Sequence, residues 1–153
     1  MRAVIDGPLL FQAALCEPIL RLLPEWFGIE EAIVRYVIEI DSLPTLLAYK
    51  AGSVVGFLSL KKHNPVSAEV YVMAVRPDLH HQGIGRSLMR KAKEWAKDWD
   101  YEYLQVKTLG PSHPDEGYAR TRAFYWAMGF RPLEEFTQIW DERNPCLIMV
   151  QKL

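Results

Sequence analysis

The chain has 153 residues, enough for one domain with a sizeable core. It is 50% hydrophobic and 24% charged, the balance of a folded globular domain. A formal net charge of −1 argues against a general nucleic-acid or anionic-membrane binder. Cys16 and Cys146 are far apart and form no CxxC, which argues against a zinc site or a disulfide scaffold and fits a reducing cytosol.

The first stretch, "MRAVIDGPLLFQAALCEP", has the look of an export signal, but Asp6 and Gln12 interrupt it and Leu15 precedes the cysteine. It reads as mature protein. No apolar run approaches the ~20 residues of a membrane span, so a cytoplasmic location without membrane contact is expected. Leu9 to Leu23 reads as helix, with Pro18 either kinking it or opening a second segment. After the break "LLPEWFGIEE", Ile29, Ile33, Val37 and Ile40 are spaced for a second helix. "PTLLAYKAGSVVGFLSLKK" predicts two strands turning near Gly52, and "SAEVYVMAVRP" a third, stopped by Pro77.

From Gly85 a long amphipathic helix is expected, with Leu88, Ala92, Trp95, Ala96 and Trp99 as its apolar stripe. "YEYLQVKTL" is a strand and "GPSHPDEG" a loop. "YARTRAFYWAMGF" is a helix closing on Gly129, and "RPLEEFTQIW" with "CLIMVQKL" a final strand pair. Helices first, then three strands, then alternation of helix and strand predict an α/β fold. Its mixed central β-sheet is flanked by helices in a single domain over residues 1–153.

The stretch "RPDLHHQGIGRS" sets Gly-x-Gly between a strand and a helix. Glycine lets the backbone come close to a ligand, and the helix dipole adds partial positive charge at the same place. Either this is a plain strand-to-helix connection or it holds an anion. Two stock phosphate motifs fail: Leu88 stands where a dinucleotide fingerprint needs its third glycine, and Arg86 where a Walker loop needs lysine. Adjacent histidines on a loop, with no further ligand at metal spacing, do not indicate a metal site.

Here the sequence resembles the GNAT N-acetyltransferase superfamily. Val70 to Ala96 is similar to that family's motif A, Gln/Arg-x-x-Gly-x-Gly/Ala, with Gly83 and Gly85 in place and His80 where the family has glutamine or arginine. "AFYWAMGF" is similar to motif B, Phe-Tyr-x-x-x-Gly-Phe, with Tyr125, Gly129 and Phe130 in place. Tyr118 stands where that motif commonly has asparagine. The resemblance runs from about Thr45 to Leu153, and the first forty residues share only a helical character.

The resemblance implies an acetyl-CoA site, with acetyl-CoA as co-substrate. The pyrophosphate would lie on the turn formed by His80, His81, Gln82, Gly83, Ile84, Gly85, Arg86 and Ser87, and Arg86 and Lys91 could add charge. Main-chain groups of Met73, Ala74 and Val75 would hold the pantetheine arm, with Tyr118 also beside the cofactor. Tyr125 matches the family's usual general acid, against the plainer reading of a core tyrosine. Glu69, a lone carboxylate in an apolar strand, shares a face with Tyr71, Met73 and Val75 and matches the base of the histone-acetyltransferase branch. The alternative is a strand-end glutamate in solvent near Ser67.

For the acceptor, "PEWFGIEE" and "SHPDEGY" pair aromatic residues with carboxylates: Glu25, Trp26 and Phe27, then Asp115 with Tyr118. Such a lining suits a cationic amine. Glu30 and Glu31 are equally explained as first-turn residues complementing a helix dipole. The expected partners are acetyl-CoA and an amine acceptor, with a homodimer left open. The leading expectation is an N-acetyltransferase acting by direct attack on a small molecule or peptide. The alternative is a non-catalytic acyl-CoA-binding sensor or interaction module with the same fold. A hydrolase is disfavoured, since there is no G-x-S-x-G.

Overall fold

A computed structural model describes residues 2–153. Their elements run β1 (Val4–Leu9), α1 (Ala13–Arg21), α2 (Glu30–Ile40), β2 (Thr45–Lys50), β3 (Ser53–Lys62), β4 (Ser67–Val75), a 3-10 turn (Pro77–Leu79) and α3 (Ile84–Asp98). They continue with β5 (Tyr103–Leu109), α4 (Glu116–Ala127), β6 (Arg131–Asp141) and β7 (Asn144–Lys152). The chain divides into two compact units, one running through Lys61 together with Val70–Trp95, the other comprising Lys62–Glu69 and Ala96–Leu153.

In the first unit the strands lie in the order β1-β2-β3-β4. The opening of the chain departs from expectation. Instead of helix from Leu9, Val4–Leu9 is an edge strand antiparallel to β2, with Ile5 opposite Ala48 and a register slip between Asp6 and Leu9. Helix α1 starts only at Ala13 and runs to Arg21 as one element with Pro18 inside it. Proline there gives up the bond to the carbonyl four residues back, a loss that tertiary burial of Cys16, Ile19 and Leu20 offsets. These residues, with Leu23, Ile40, Leu47, Phe57, Val72 and Ala74, form one buried apolar cluster.

Helix α3 buries Leu88, Met89, Ala92 and Ala96. Trp99 does not complete this stripe: it lies beyond the last helical residue, Asp98, and is 61% exposed. The reason is local. Asp100 takes a left-handed φ of 62° and Tyr101 N–H returns to the Ala96 carbonyl, so the chain reverses directly after Trp99 and the stripe has no further turn to extend into. Its ring instead carries the Lys62 ammonium, 4.9 Å from the centroid.

In the second unit β7 lies between β5 and β6, antiparallel to both, with Val106 opposite Met149 and Arg131 opposite Val150. Helix α4 ends at Ala127, and Gly129 follows in the left-handed region, as the sequence predicts. Cys16 and Cys146 are both free and buried. Burial pushes the Cys16 thiol up to about 12, with Asp41 adding to it. It pushes Cys146 up to about 11, against the nearby Lys107 charge.

Candidate active site

The turn between β4 and α3 has the conformation its glycines suggest. His81 and Gly83 both adopt positive φ, 64° and 83°, so the backbone reverses twice just before the helix. Such alternation turns successive N–H groups to one side and makes an anion-binding concavity. The first intrahelical bond runs from Ser87 N–H to the Gly83 carbonyl at 3.0 Å. Ile84, Gly85 and Arg86 therefore contribute N–H groups that the helix itself does not use. A Cβ on Gly83 would meet nothing within 4 Å, so the turn opens onto free space. Arg86, Gln82 and His81 are exposed, while Ile84 anchors the turn in the core.

Lys50, at the end of β2, donates from Nζ to Gln82 Oε1 at 3.0 Å and brings a cation to this turn that sequence reading overlooked. Lys91 lies two turns into α3 and faces Glu94 at 3.8 Å. His80 is half-buried rather than a surface residue: its Nε2 lies 2.8 Å from the Val75 carbonyl, and Trp26 packs edge-on with ring centroids 6.1 Å apart.

Strand alternation sorts the main-chain groups expected to meet the pantetheine arm. N–H and C=O of one residue point to the same side of a strand, and neighbours point oppositely. Arg76 N–H bonds the Val55 carbonyl, and the Ala74 carbonyl would lie 3.1 Å from a Cβ on Gly56, so both residues face β3. Met73 and Val75 face away from β3, and Ala74 does not join them. Of these groups the Val75 carbonyl already has His80 as its partner.

In the other unit, Glu69 is 1% exposed, which removes the reading of it as a solvated strand-end residue. His63 Nε2 lies 2.6 Å from its Oε1, with Lys107 Nζ at 3.3 Å and Gln105 Nε2 at 3.4 Å. A carboxylate taken out of water needs such partners. The sequence held a signal for two of them: Gln105 and Lys107 alternate with Leu104 and Val106 in β5, and Glu69 is the lone charge in β4.

Tyr125 is 8% exposed in α4, its ring packed against Phe124 and Phe130 with centroids 5.7 and 5.8 Å away. Tyr118, two turns earlier and on the same face of the helix, is pushed up to about 12 by burial, with the Asp115 charge adding to the effect. Asp115 is the N-cap of α4: its Oδ1 accepts from Tyr118 N–H at 3.0 Å. Replacing Asp115 with Ala is expected to cost about 1 kcal/mol of stability, read as a lower urea midpoint at unchanged m-value.

The expected acceptor residues are not all equally available. Glu25 is exposed, whereas Phe27 packs edge-on with Tyr36 at 5.9 Å and Trp26 against His80. Glu30 is held by Arg21 at 2.8 and 2.9 Å, which lowers its ionisation below the usual carboxylate range. Among the described residues, no group of three His, Cys, Asp or Glu side chains could hold a metal ion, and no helix is long and apolar enough to cross a membrane.

The model of the acetyltransferase (GNAT) family matches residues 14–130. The chain belongs to that family. No curated protein sequence matches it. Among solved structures it is similar to an acetyltransferase assigned to the GNAT family from Desulfovibrio desulfuricans, at 18% identity, 98% of both chains and a TM-score of 0.83. It is also similar to PaiA N-acetyltransferase from Thermoplasma acidophilum, solved with coenzyme A, at 20% identity, 100% of both chains and a TM-score of 0.75. A GNAT family acetyltransferase from Elizabethkingia anophelis, solved with acetyl-CoA, gives 20% identity, 99% of both chains and a TM-score of 0.72. These likenesses carry the expected α/β fold, a GNAT-like mixed central sheet flanked by helices.

Proposed function

We propose that this chain, as one cytoplasmic N-acetyltransferase domain over its whole length, moves the acetyl group of acetyl-CoA onto a primary amine of a small molecule or peptide. The observation that carries the reading is the family match together with the doubly reversed glycine turn opening α3. On this reading the diphosphate lies on the N–H groups of residues 81–87, helped by Arg86, His80, Lys50 and the helix dipole. Main-chain groups of Met73 and Val75 hold the pantetheine arm, and Tyr118 lies beside it. Coenzyme A in the Thermoplasma neighbour and acetyl-CoA in the Elizabethkingia one support this ligand. Glu25, Trp26, Phe27 and Asp115 line the acceptor's approach and favour a cationic amine.

The chemistry is direct transfer. Glu69, acting through a water, takes a proton from the ammonium group, and the freed nitrogen lone pair attacks the thioester carbonyl carbon. A C–N bond forms and the C–S bond breaks. The departing thiolate takes the Tyr125 hydroxyl proton, which solvent then restores. A thiol-release screen with acetyl-CoA against spermidine, lysine, kanamycin and an alanine-led peptide tests the reading. Release stimulated by at least one amine is expected. Coenzyme A bound but never released faster with any of the four would overturn it.

Glu69→Gln keeps shape and hydrogen bonding but cannot take a proton. At pH 7 about one alkylamine in a thousand is unprotonated, so kcat/KM near neutrality is expected to fall and to recover partly at high pH. Profiles from pH 6 to 10 that superimpose on the wild type would remove Glu69 from the reaction.

A further inference from the structure

Lys61 and Lys62, near the end of β3, each hold an ammonium over an aromatic ring, but the rings differ. Lys62 lies over Trp99, which is exposed. Lys61 Nζ lies 5.1 Å from the centroid of Tyr71, and that ring ends a row. Tyr71 meets Tyr36 edge-on with centroids 5.6 Å apart, and Tyr36 meets Phe27 in the same way at 5.9 Å. The residue before Phe27 is Trp26, whose ring meets His80 of the glycine turn at 6.1 Å. The whole row belongs to the first unit, and each of its members is half-buried. Trp26, Phe27, Tyr36 and Tyr71 pack against the buried cluster of that unit and still keep part of each residue in solvent. The charge on this wall is the reverse of what its flanking glutamates suggest. Glu30 is taken up by Arg21, and Glu25 is exposed beside Trp26. Among the described residues Lys61 has no carboxylate at ion-pair distance, and the Tyr71 ring is its contact. An ammonium has three donors, so a ring face on one side leaves the other side open to an anion.

We propose that Lys61 is a carboxylate subsite for the acceptor. The acceptor is then an amine that also bears a carboxylate on an aromatic or apolar frame, as an amino acid or short peptide does. The inference rests on Trp26 and Phe27 lining the acceptor's approach. The rings give the frame a rigid apolar surface, and Lys61 gives its anionic end a charge-assisted partner. Strand geometry agrees with this placement. Tyr71 precedes Met73 by two residues, about 7 Å along β4, so Lys61 stands one short substrate length from the main-chain groups assigned to the pantetheine arm. The cationic amine is retained at the reacting end, and a negative group is added at the other. A polyamine brings only positive charge to Lys61 and is disfavoured.

The test measures kcat/KM and KM at pH 7 for two pairs of acceptors: phenylalanine with its amide, and alanyl-phenylalanine with its amide. Members of a pair share frame and amine and differ in carrying a carboxylate or a neutral carboxamide. They differ in amine basicity too, so the quantity read is each variant's acid-to-amide ratio relative to wild type. Lys61→Met should lower that ratio about tenfold in at least one pair, through a higher KM for the acid alone. Lys61→Arg should keep most of the ratio, and Lys62→Met, which removes the neighbouring charge, should leave it unchanged. All three should keep the coenzyme A thermal shift. A Lys61→Met enzyme with the wild-type ratio in both pairs overturns the subsite and leaves the transferase reading in place. Turnover of spermidine or kanamycin with none of the four does the same. Equal loss of acid and amide makes Lys61 a support for the Tyr71 ring only, and an equal effect of Lys62→Met assigns the preference to general surface charge. No release with any of these amines removes the transferase reading and the subsite with it. Should Lys61→Met fail to fold, Lys61→Gln carries the same comparison.

Discussion

Tyr125→Phe is expected to lower turnover about 100-fold while leaving coenzyme A affinity unchanged. The substitution removes one hydroxyl and keeps the ring that packs between Phe124 and Phe130, so the α4 core is retained. What disappears is a proton for the departing thiolate. That loss belongs to the transition state, and kcat and kcat/KM should therefore fall together with little change in KM. Steady-state kinetics with a calorimetric coenzyme A titration of the same variant check both halves. A variant that turns over at the wild-type rate returns Tyr125 to a purely structural role. One that loses cofactor affinity as well assigns the hydroxyl to binding.

Gly83→Val is expected to abolish the thermal stabilisation that coenzyme A gives the wild type. A ligand at 100 times its Kd stabilises by about 2.7 kcal/mol, which for a chain of this size is on the order of 5–10 °C. Valine at a φ of 83° carries strain of roughly 1–2 kcal/mol, and its side chain projects into the open space before the α3 N–H groups. Gly52→Val separates these effects. Gly52 has a φ of 80°, its Cβ would also meet nothing within 4 Å, and it sits in the β2–β3 turn. Both variants should melt lower than wild type, and only Gly83→Val should lose the coenzyme A shift. If Gly83→Val keeps a full shift, the diphosphate does not rest on this turn.

The sequence was most legible where periodicity and punctuation agree. Strands β2 through β7 and helices α2, α3 and α4 follow alternation, helical stripes and their glycine or proline stops. The first strand was not legible, because Asp6, Gly7 and Pro8 are residues that ordinarily end strands, and here they occupy a slip in an edge pairing that only β2 can define. Trp99 departs for a related reason: it sits at the very end of the helix, where the backbone reverses at Asp100 and helical spacing no longer decides burial.

Among the candidate residues, the glycines, Tyr125 and Glu69 could be singled out by residue type and motif. Their surroundings could not. His63 comes to Glu69 through a turn, and Lys107 through a strand 38 positions further along the chain. Trp26 reaches His80 across more than fifty residues of sequence. Long-range pairings of this kind are set by the tertiary fold and leave no local period to read.

The two cysteines have a chemical consequence for an enzyme whose product is itself a thiol. With Cys16 raised to about 12 and Cys146 to about 11, neither exists as thiolate to any useful extent at neutral pH. Both are poor candidates to take an acyl group from a thioester by exchange, which agrees with the direct transfer proposed above rather than a ping-pong cycle. With both thiols buried, the folded protein is also expected to react slowly with disulfide reagents. In a colorimetric thiol assay of the proposed reaction, the colour is then expected to come from released coenzyme A.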